Sequence, residues 1–309
     1  MIIRCLDPIP NTKGASHPPR SFSPVLLLAF YFQLFQTPMP SFNKSSSPPP
    51  IGVFDSGIGG LTVVAELRRA LPLERILYLG DTARVPYGGK SAETVTRYSR
   101  EISDLLLSEG AKMIVVACNT ASALAVPTLA PAYPVPMIGV LEPGAAAAVK
   151  ATRSGRIGVI GTRATIGSEA YSKAINSLNP DLSVTAIACP LLVPLIEEGL
   201  FDDEVTKTVL QRYLDPMLSQ GIDTLVLGCT HYPLLKKAIR TICGDGIQLV
   251  DSAENCAIAV NSLLAAGSGN ARGPRLDILL TDSSEGFLRI AEKSLDLKID
   301  SLSVRSVGN

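Results

Sequence analysis

Two of the six cysteines in this 309-residue chain occupy matching positions at the ends of apolar segments. Residues 112–120 read Lys-Met-Ile-Val-Val-Ala-Cys-Asn-Thr, and residues 223–231 read Asp-Thr-Leu-Val-Leu-Gly-Cys-Thr-His. Each apolar stretch leads through a small residue to a cysteine, Cys118 or Cys229, and then to polar residues that open a predicted helix. The positive dipole end of a helix favours a thiolate close to it. Both thiols are therefore candidates for acid–base chemistry.

Two thiols on opposite sides of a substrate suit the inversion of a tetrahedral carbon. One thiolate removes a proton, and the other thiol delivers a proton to the opposite face. Three other interpretations stay open: two small buried apolar residues, a disulfide, which a reducing compartment disfavours, or a zinc site. Zinc is the poorest of these, because neither segment has Cys-x-x-Cys or His-x-x-x-His spacing. The other four cysteines lie in no comparable setting and are predicted to be structural: Cys5, Cys189, Cys243 and Cys256.

Residues 55–60, Asp-Ser-Gly-Ile-Gly-Gly, form a third candidate feature. Glycines let the backbone approach an anion closely, and the free N–H groups at a helix start bind phosphate or carboxylate. The dinucleotide fingerprint is incomplete because Thr62 stands where its third glycine is needed, and the Gly-Lys pair of a nucleotide-triphosphate loop is missing. We therefore expect an anion cradle that holds no cofactor phosphate. The alternative is a tight strand-to-helix turn in which Asp55 caps the helix.

Short apolar runs predict the strands that position these loops: Ile51–Phe54, Ile76–Leu79, Met113–Ala117, Met137–Val140, Ile157–Ile160, Leu225–Leu227, Ile247–Val250 and Ile278–Leu280. Stretches with helical spacing separate most of them, including Leu61–Ala70, Ala92–Ser108 and Asp203–Ser219. This alternation predicts parallel sheets covered on both faces, with ligands beyond the carboxyl ends of the strands. The repeat of Ile-Gly-Val at residues 51–53 and 157–159 has nearly the same offset as the two cysteines. Two similarly built halves are therefore predicted.

The composition is that of a compact, enzyme-like protein. Apolar residues make up 46% of the chain, charged residues make up 18%, and 28 basic side chains balance 28 acidic ones. This apolar content excludes an intrinsically disordered chain, and six cysteines are too few for a disulfide-dense secreted domain. The zero net charge gives no general attraction to nucleic acid or to an anionic membrane, so neither is expected as a partner.

Residues 1–50 differ from the rest because they are rich in proline and phenylalanine and carry more basic than acidic side chains. Their apolar run, Val25–Phe35, is too short to span a bilayer but loosely resembles a secretory signal. We expect a disordered leader outside the fold, which a start at Met39 would largely remove. The alternative is a secreted or membrane-tethered protein. The predicted domains are residues 51–142 plus 252–309, with Cys118, and residues 143–251, with Cys229.

Four motifs between Ile51 and about Ile290 carry a resemblance to a known family: Phe-Asp-Ser-Gly-Ile-Gly-Gly at 54–60, Gly-Asp-Thr-Ala-Arg-Val-Pro-Tyr-Gly at 80–88, Val-Ala-Cys-Asn-Thr at 116–120 and Gly-Cys-Thr-His-Tyr-Pro at 228–233. The chain resembles the cofactor-independent aspartate/glutamate racemases. The resemblance implies an α/β fold of two similar doubly wound parallel-sheet domains, with the active site in the cleft between them. It implies no cofactor and no metal.

The resemblance also implies a role for each motif residue. Cys118 and Cys229 would be the bases for the two enantiomers. Asp55 and Ser56 would bind the substrate ammonium, and His231 would assist Cys229 together with Glu197 or its neighbour Glu198. The other implied substrate-binding residues are Tyr87 and Gly88 at the substrate side chain, Asn119, Thr120 and Thr230 at the α-carboxylate, and Thr162 and Thr165 as weaker candidates.

The preferred substrate is predicted from the second cysteine motif. Aspartate racemases of the group resemble Gly-Cys-Thr-Glu there, whereas this chain has His231 after Thr230, which favours glutamate. The expected role is D-glutamate supply for peptidoglycan precursors in a bacterial cytoplasm, by a homodimer. The alternatives are an aspartate racemase and a non-catalytic dicarboxylate-binding protein of the same fold.

Overall fold

The computed structural model describes residues 48–265, 274–283, 285–288, 290–291 and 295–308. The predicted leader therefore lies outside the described residues apart from 48–50, as do Cys5 and the run Val25–Phe35. Among the described residues, no helix has the length and apolar character needed to cross a membrane.

The described strands include a match for every predicted one. They are β1 (Ile51–Asp55), β2 (Arg75–Gly80), β3 (Met113–Val116), β4 (Met137–Gly139), β5 (Arg156–Gly161), β6 (Ser183–Ala188), β7 (Thr224–Gly228), β8 (Gln248–Asp251), β9 (Arg275–Leu280) and β10 (Ser301–Val304). Two of these, β6 and β10, are not predicted from the sequence. Both alternate or mix polar residues with apolar ones, and β10 is exposed along its whole length. Edge strands of this kind lack the continuous apolar run that marks a strand buried on both faces.

The helices also follow the predicted spacing. They are α1 (Leu61–Ala70), α2 (Ala92–Ser108), α3 (Asn119–Leu124), α4 (Val126–Leu129), α5 (Leu141–Ala151), α6 (Arg163–Gly167), α7 (Ala170–Leu178), α8 (Leu192–Glu197), α9 (Glu204–Ser219), α10 (Lys236–Cys243), α11 (Ser252–Ala265) and α12 (Glu285–Leu288). Asp203, predicted inside α9, is instead its N-cap, and its side chain accepts the Val205 N–H.

The strands form two parallel sheets. The first has the order β10-β9-β2-β1-β3-β4, and the second has the order β6-β5-β7-β8. The second order repeats the last four strands of the first, with β5 in the place of β1 and β7 in the place of β3. The Ile-Gly-Val repeat therefore falls on equivalent central strands, and both cysteines follow the strand beside them. This confirms the prediction of two similar halves.

Apolar side chains cover both faces of each sheet. Successive residues of β1 alternate between two clusters, with Val53 on one face and Phe54 on the other. The second sheet is covered in the same way, with Val226 and Leu227 of β7 in different clusters. Helix α11 packs against both α1 and α5, which ties the two halves together beneath the strand ends.

Candidate active site

Cys118 directly follows the segment that leads out of β3 and is the N-cap residue of α3. Its side chain is 5% exposed. The Sγ atom accepts the Ala121 N–H at 3.5 Å and donates to the Ser56 hydroxyl at 3.6 Å. Burial raises the pKa of this thiol to about 12, with smaller increases from the negative charges of Asp55 and Cys229. The expected preference for the thiolate at a helix start is therefore outweighed by burial, and Cys118 is a neutral thiol at rest.

Asp55 ends β1 and is fully buried. Its Oδ2 atom accepts the Gly57 N–H at 3.1 Å, and its Oδ1 atom accepts the Thr230 hydroxyl at 3.3 Å. Burial raises its pKa above the ordinary 3.8, against the positive charge of His231 and the backbone N–H groups of the loop. Asp55 is not the cap of α1, whose N-cap residue is Gly60. Part of the predicted anion cradle is thus occupied by the protein's own carboxylate.

On the other side of the cleft, Cys229 begins a chain of three polar side chains. Its Sγ atom lies 3.8 Å from His231 Nδ1, and His231 Nε2 lies 3.1 Å from Glu197 Oε1. His231 is 5% exposed, whereas the Glu197 side chain is 42% exposed. The neighbouring Glu198 is exposed and follows the end of α8 as its C-cap residue. Of the two glutamates that the sequence leaves open, the structure therefore brings Glu197 to His231.

The charge on His231 follows from its partners. Burial alone lowers an imidazole pKa, but the hydrogen bonds with Cys229 and Glu197 and the nearby negative charges raise the pKa of His231 to about 10. At neutral pH the ring is therefore an imidazolium beside the Cys229 sulphur. A positive charge there stabilises a thiolate at this position.

The two halves meet through the loops that carry these groups. The Thr62 hydroxyl donates to the Thr230 carbonyl oxygen at 2.8 Å. Gly59 packs so closely that a Cβ atom there would lie 2.4 Å from His231 Nδ1 and 2.5 Å from Thr230 Oγ1. Glycine is required at this position because any side chain would push the His231 loop away. The carboxyl ends of β1 and β7 thus face each other across one site.

Asn119 is 2% exposed. The resemblance implies that it contacts the substrate α-carboxylate, whereas here its side chain is hydrogen-bonded to other residues of the protein. Its Oδ1 atom accepts the Tyr171 hydroxyl at 2.6 Å, and its Nδ2 atom donates to Ser252 Oγ at 3.3 Å. The backbone N–H groups of Asn119 and Thr120 are further donors available to a carboxylate. These open α3 and have no acceptor within the helix.

Three threonine hydroxyls join the loop after β3 to the loop after β5. Thr120 Oγ1 lies 2.9 Å from Thr162 Oγ1 and 3.1 Å from Thr165 Oγ1, and the last two lie 2.9 Å apart. Thr120 and Thr165 are buried, and Thr162 caps α6. This triangle brings the weaker candidates of the sequence analysis to the same site as Thr120.

Tyr87 and Gly88 reach the site from the first half. Tyr87 is buried, and its hydroxyl donates to Asp81, which also accepts from Arg84 Nε and Thr281 Oγ1. Gly88 lies against Thr162, where an added Cβ atom would be 2.7 Å from the threonine Cβ. Within the described residues, no three His, Cys, Asp or Glu side chains cluster in a way that could hold a metal ion.

Known proteins are similar to this chain over most of its length. The family model of Asp/Glu/hydantoin racemases matches residues 59–260. The chain belongs to the Asp/Glu/hydantoin racemase family. It is 50% identical over 252 residues to a glutamate racemase of Geobacter metallireducens, covering 81% of this chain and 93% of that protein.

Solved structures of racemases agree with this membership. A glutamate racemase isoform from Bacillus anthracis matches with a TM-score of 0.79 and 42% identity, over 84% of this chain and 97% of the other. A glutamate racemase from Francisella tularensis, solved in complex with D-glutamate, matches with a TM-score of 0.78 and 36% identity over the same shares. Members of this family are cofactor-independent amino-acid racemases, and this chain is an isomerase of that type.

Three residues of this racemase site are missed by the sequence analysis. Tyr171, Ser252 and Asp81 contact predicted residues rather than the cleft itself. Asp81 belongs to the motif at residues 80–88, but the motif alone does not indicate that Asp81 accepts a hydrogen bond from Tyr87. Tyr171 and Ser252 stand in no motif, and no local pattern distinguishes them from ordinary core residues.

Proposed function

We propose that this racemase interconverts L-glutamate and D-glutamate by proton transfer between its two thiols and the substrate α-carbon. The observation that carries the proposal is the placement of Cys118 and Cys229 on facing loops, each with its own acid–base partners. One sulphur has Ser56 and Asp55 beside it, and the other has His231 and Glu197. Two thiols on opposite faces of one carbon are what an inversion requires.

The resting charges favour one starting state. Cys118 keeps its proton, and Cys229, with the His231 imidazolium beside it, is the base in this direction. The thiolate takes the α-proton, forming an S–H bond as the Cα–H bond breaks, and the electron pair passes into the substrate carboxylate. Cys118 then gives its proton to the opposite face of the α-carbon and becomes the thiolate. For the other enantiomer the same steps run in reverse.

The free enzyme must also move a proton between the two sulphurs to start from either enantiomer. Asp55 is the buried ionisable group beside Cys118, and burial raises its pKa above the ordinary 3.8. Glu197 is partly exposed and connects His231 to solvent. The Cys229 side therefore exchanges protons with water readily, and the Cys118 side exchanges them through buried groups.

Hydrogen-bond donors near the α-carboxylate make the largest contribution to lowering the activation barrier. No pyridoxal or metal is invoked to accept the electron pair, so the developing charge must be met by fixed N–H and O–H groups. We assign this role to the backbone N–H groups of Asn119 and Thr120 and to Thr230, whose hydroxyl turns from Asp55 to the substrate when it donates there. Asp55 and Ser56 face the substrate ammonium, and Tyr87 and Gly88 face the side-chain carboxylate.

The test is racemisation followed by circular dichroism, starting from each enantiomer without added cofactor. Wild-type protein is expected to bring both L- and D-glutamate to zero ellipticity. Cys118→Ser and Cys229→Ser are each expected to lower kcat by about 10²–10⁴-fold, the usual contribution of a positioned acid–base group. Cys243→Ser is the matched control, because that half-buried thiol ends α10 away from the cleft.

Four outcomes would contradict the proposal. Near wild-type racemisation by either active-site serine variant would remove the two-thiol mechanism. Loss of activity in excess chelator, restored by a metal, would remove the cofactor-free reaction. Glutamate binding without turnover would favour a dicarboxylate-binding protein, and faster turnover of aspartate would favour the aspartate racemase.

The wider setting is part of the same proposal. The strands of the first sheet come from residues 51–142 and 252–309, and those of the second come from 143–251, which supports the predicted domain bounds. The resemblance supports a homodimer that supplies D-glutamate for peptidoglycan synthesis in a bacterial cytoplasm. Mass spectrometry of the native N-terminus tests whether the leader is present.

A further inference from the structure

Tyr171 touches the chain next to each catalytic thiol. It lies on α7, is 2% exposed, and its hydroxyl donates to Asn119 Oδ1 at 2.6 Å, one residue after Cys118. Its ring packs on Gly228, one residue before Cys229, where an added Cβ atom would lie 3.1 Å from Tyr171 Cε2. One rigid side chain therefore spans the two loops that carry the reacting sulphurs.

The contact continues into a buried hydrogen-bond chain. Asn119 Nδ2 donates to Ser252 Oγ at 3.3 Å, and Ser252 Oγ donates to the Leu227 carbonyl oxygen at 3.2 Å. Leu227 stands two residues before Cys229 on β7. The chain thus starts beside one thiol and ends beside the other, with every member buried.

The Tyr171 phenol acts here as a donor. Burial raises its pKa well above the ordinary 10.0, and the negative charges of Glu142 and Asp251 raise it further. A neutral phenol cannot reverse its hydrogen bond to a carbonyl oxygen, so it fixes which end of the Asn119 amide faces it. The amide nitrogen must then point to Ser252.

We propose that Tyr171 is a positioning residue that sets the separation of the two thiol loops across the substrate α-carbon. It touches no substrate atom, and its effect passes through Asn119 on one side and Gly228 on the other. The inference rests on the proposed racemisation. A change in this spacing affects delivery of the second proton by the opposite thiol more than removal of the first proton.

Tyr171→Phe keeps the ring and removes the hydroxyl. In deuterium oxide, we measure two rates from each enantiomer: racemisation, and deuterium uptake into the substrate that has not inverted. The variant is expected to lower kcat for racemisation by about 10-fold or more, since a displacement near 1 Å can cost 10²-fold. The ratio of uptake without inversion to racemisation is expected to rise, because the first proton is still removed. A purely structural role would lower both rates together and leave this ratio unchanged.

Tyr133→Phe is the matched control. Its hydroxyl donates to Asp104 Oδ1 at 2.6 Å on α2, outside the cleft, and its loss should leave the ratio at the wild-type value. Ser252→Ala is an independent variant of the same hydrogen-bond chain. The same two rates are measured on it if Tyr171→Phe does not fold. Because both act through Asn119, the double variant should show no more than the larger single effect.

The outcomes are distinct. An unchanged ratio in the Tyr171 and Ser252 variants would overturn the positioning role, and so would effects that multiply in the double variant. In either case, racemisation by the wild-type protein would still uphold the proposed function. Absence of racemisation by the wild-type protein would overturn both.

Discussion

The Cys118 and Cys229 sulphurs have different neighbouring side chains. Cys118 is buried beside a buried carboxylate, and its pKa is raised to about 12. Cys229 stands next to a charged imidazole that reaches the surface through Glu197. The same residue type at matching positions therefore has a buried carboxylate as its neighbour on one side and an imidazolium on the other.

The contact between His231 and Glu197 predicts that the His231 imidazole loses its proton at a higher pH than an ordinary histidine. Because its partners raise the pKa of His231 from 6.5 to about 10, their stabilising effect is fully present below 6.5 and is lost as the pH rises through 10. The sequence contains two histidines, so NMR of labelled imidazoles can follow His231 directly. We expect Glu197→Gln to lower the pKa of His231. The loss of activity at alkaline pH should then occur at a lower pH.

Glu198→Gln is the matched control for this titration, because Glu198 is exposed and adjoins Glu197 in the chain. It should leave both the titration and the pH profile as in the wild type. A His231 signal that titrates near 6.5 in the wild-type protein would contradict the assigned charge state.

At this scale the sequence predicts residue types better than contacts. Cys118, Cys229 and His231 stand in local patterns that can be read directly. The choice of Glu197 over Glu198 depends on which face of α8 packs toward His231, and that is decided by tertiary contacts. The amide of Asn119 turns to Tyr171, 52 positions away in the chain, for the same reason.

Among the elements, the loops after the strands fix the site by packing directly on each other. Gly59 and Gly88 in the first half meet His231 and Thr162 in the second half. Both contacts leave no room for a Cβ atom, so the spacing of the halves is set by backbone approach. The short helices that follow the loops supply N–H groups and fix side-chain directions.

Gly88 and Gly89 allow a matched test of this packing. A Cβ atom on Gly88 would lie 2.7 Å from Thr162 Cβ, whereas a Cβ atom on Gly89 would meet nothing within 4 Å. Gly88→Ala is expected to lower kcat/KM for both enantiomers by about 10–10²-fold, because it displaces groups at the substrate. Gly89→Ala should stay close to wild type. Equal effects of the two substitutions in steady-state assays would contradict the proposed role of this contact.

The predictability of the elements follows from their burial. Strands β1, β3 and β7 are buried throughout and are visible as continuous apolar runs. Strand β6 is half-buried along most of its length, and β10 is exposed, so their sequences carry no such signal. The apolar pattern thus predicts the strands that lead to the two thiols and misses two of the four edge strands, β6 and β10.

At the scale of the whole molecule, the proposed site lies between the two halves. Residues at the site come from both sheets, and helix α11 packs against helices of both halves. A ligand that contacts both halves favours their folded, associated arrangement over the unfolded chain. Binding should therefore stabilise the molecule as one unit.

This linkage can be measured by calorimetry. At 100 times its Kd, a ligand that binds only the folded state adds about 2.7 kcal/mol. For a chain of this size that corresponds to a Tm increase of about 4–5 °C. We expect an increase of this kind with racemic glutamate and a smaller one with aspartate at the same concentration. A larger increase with aspartate would contradict the assigned substrate.

The central claim is that separate thiols remove and return the proton, and labelling of the first turnovers in deuterium oxide tests it most directly. Starting from either enantiomer of glutamate, the wild-type protein is expected to form product that carries deuterium at the α-carbon. The substrate that remains is expected to keep its hydrogen. Appearance of deuterium in remaining substrate as fast as in product would show a single base serving both faces, and would contradict the account.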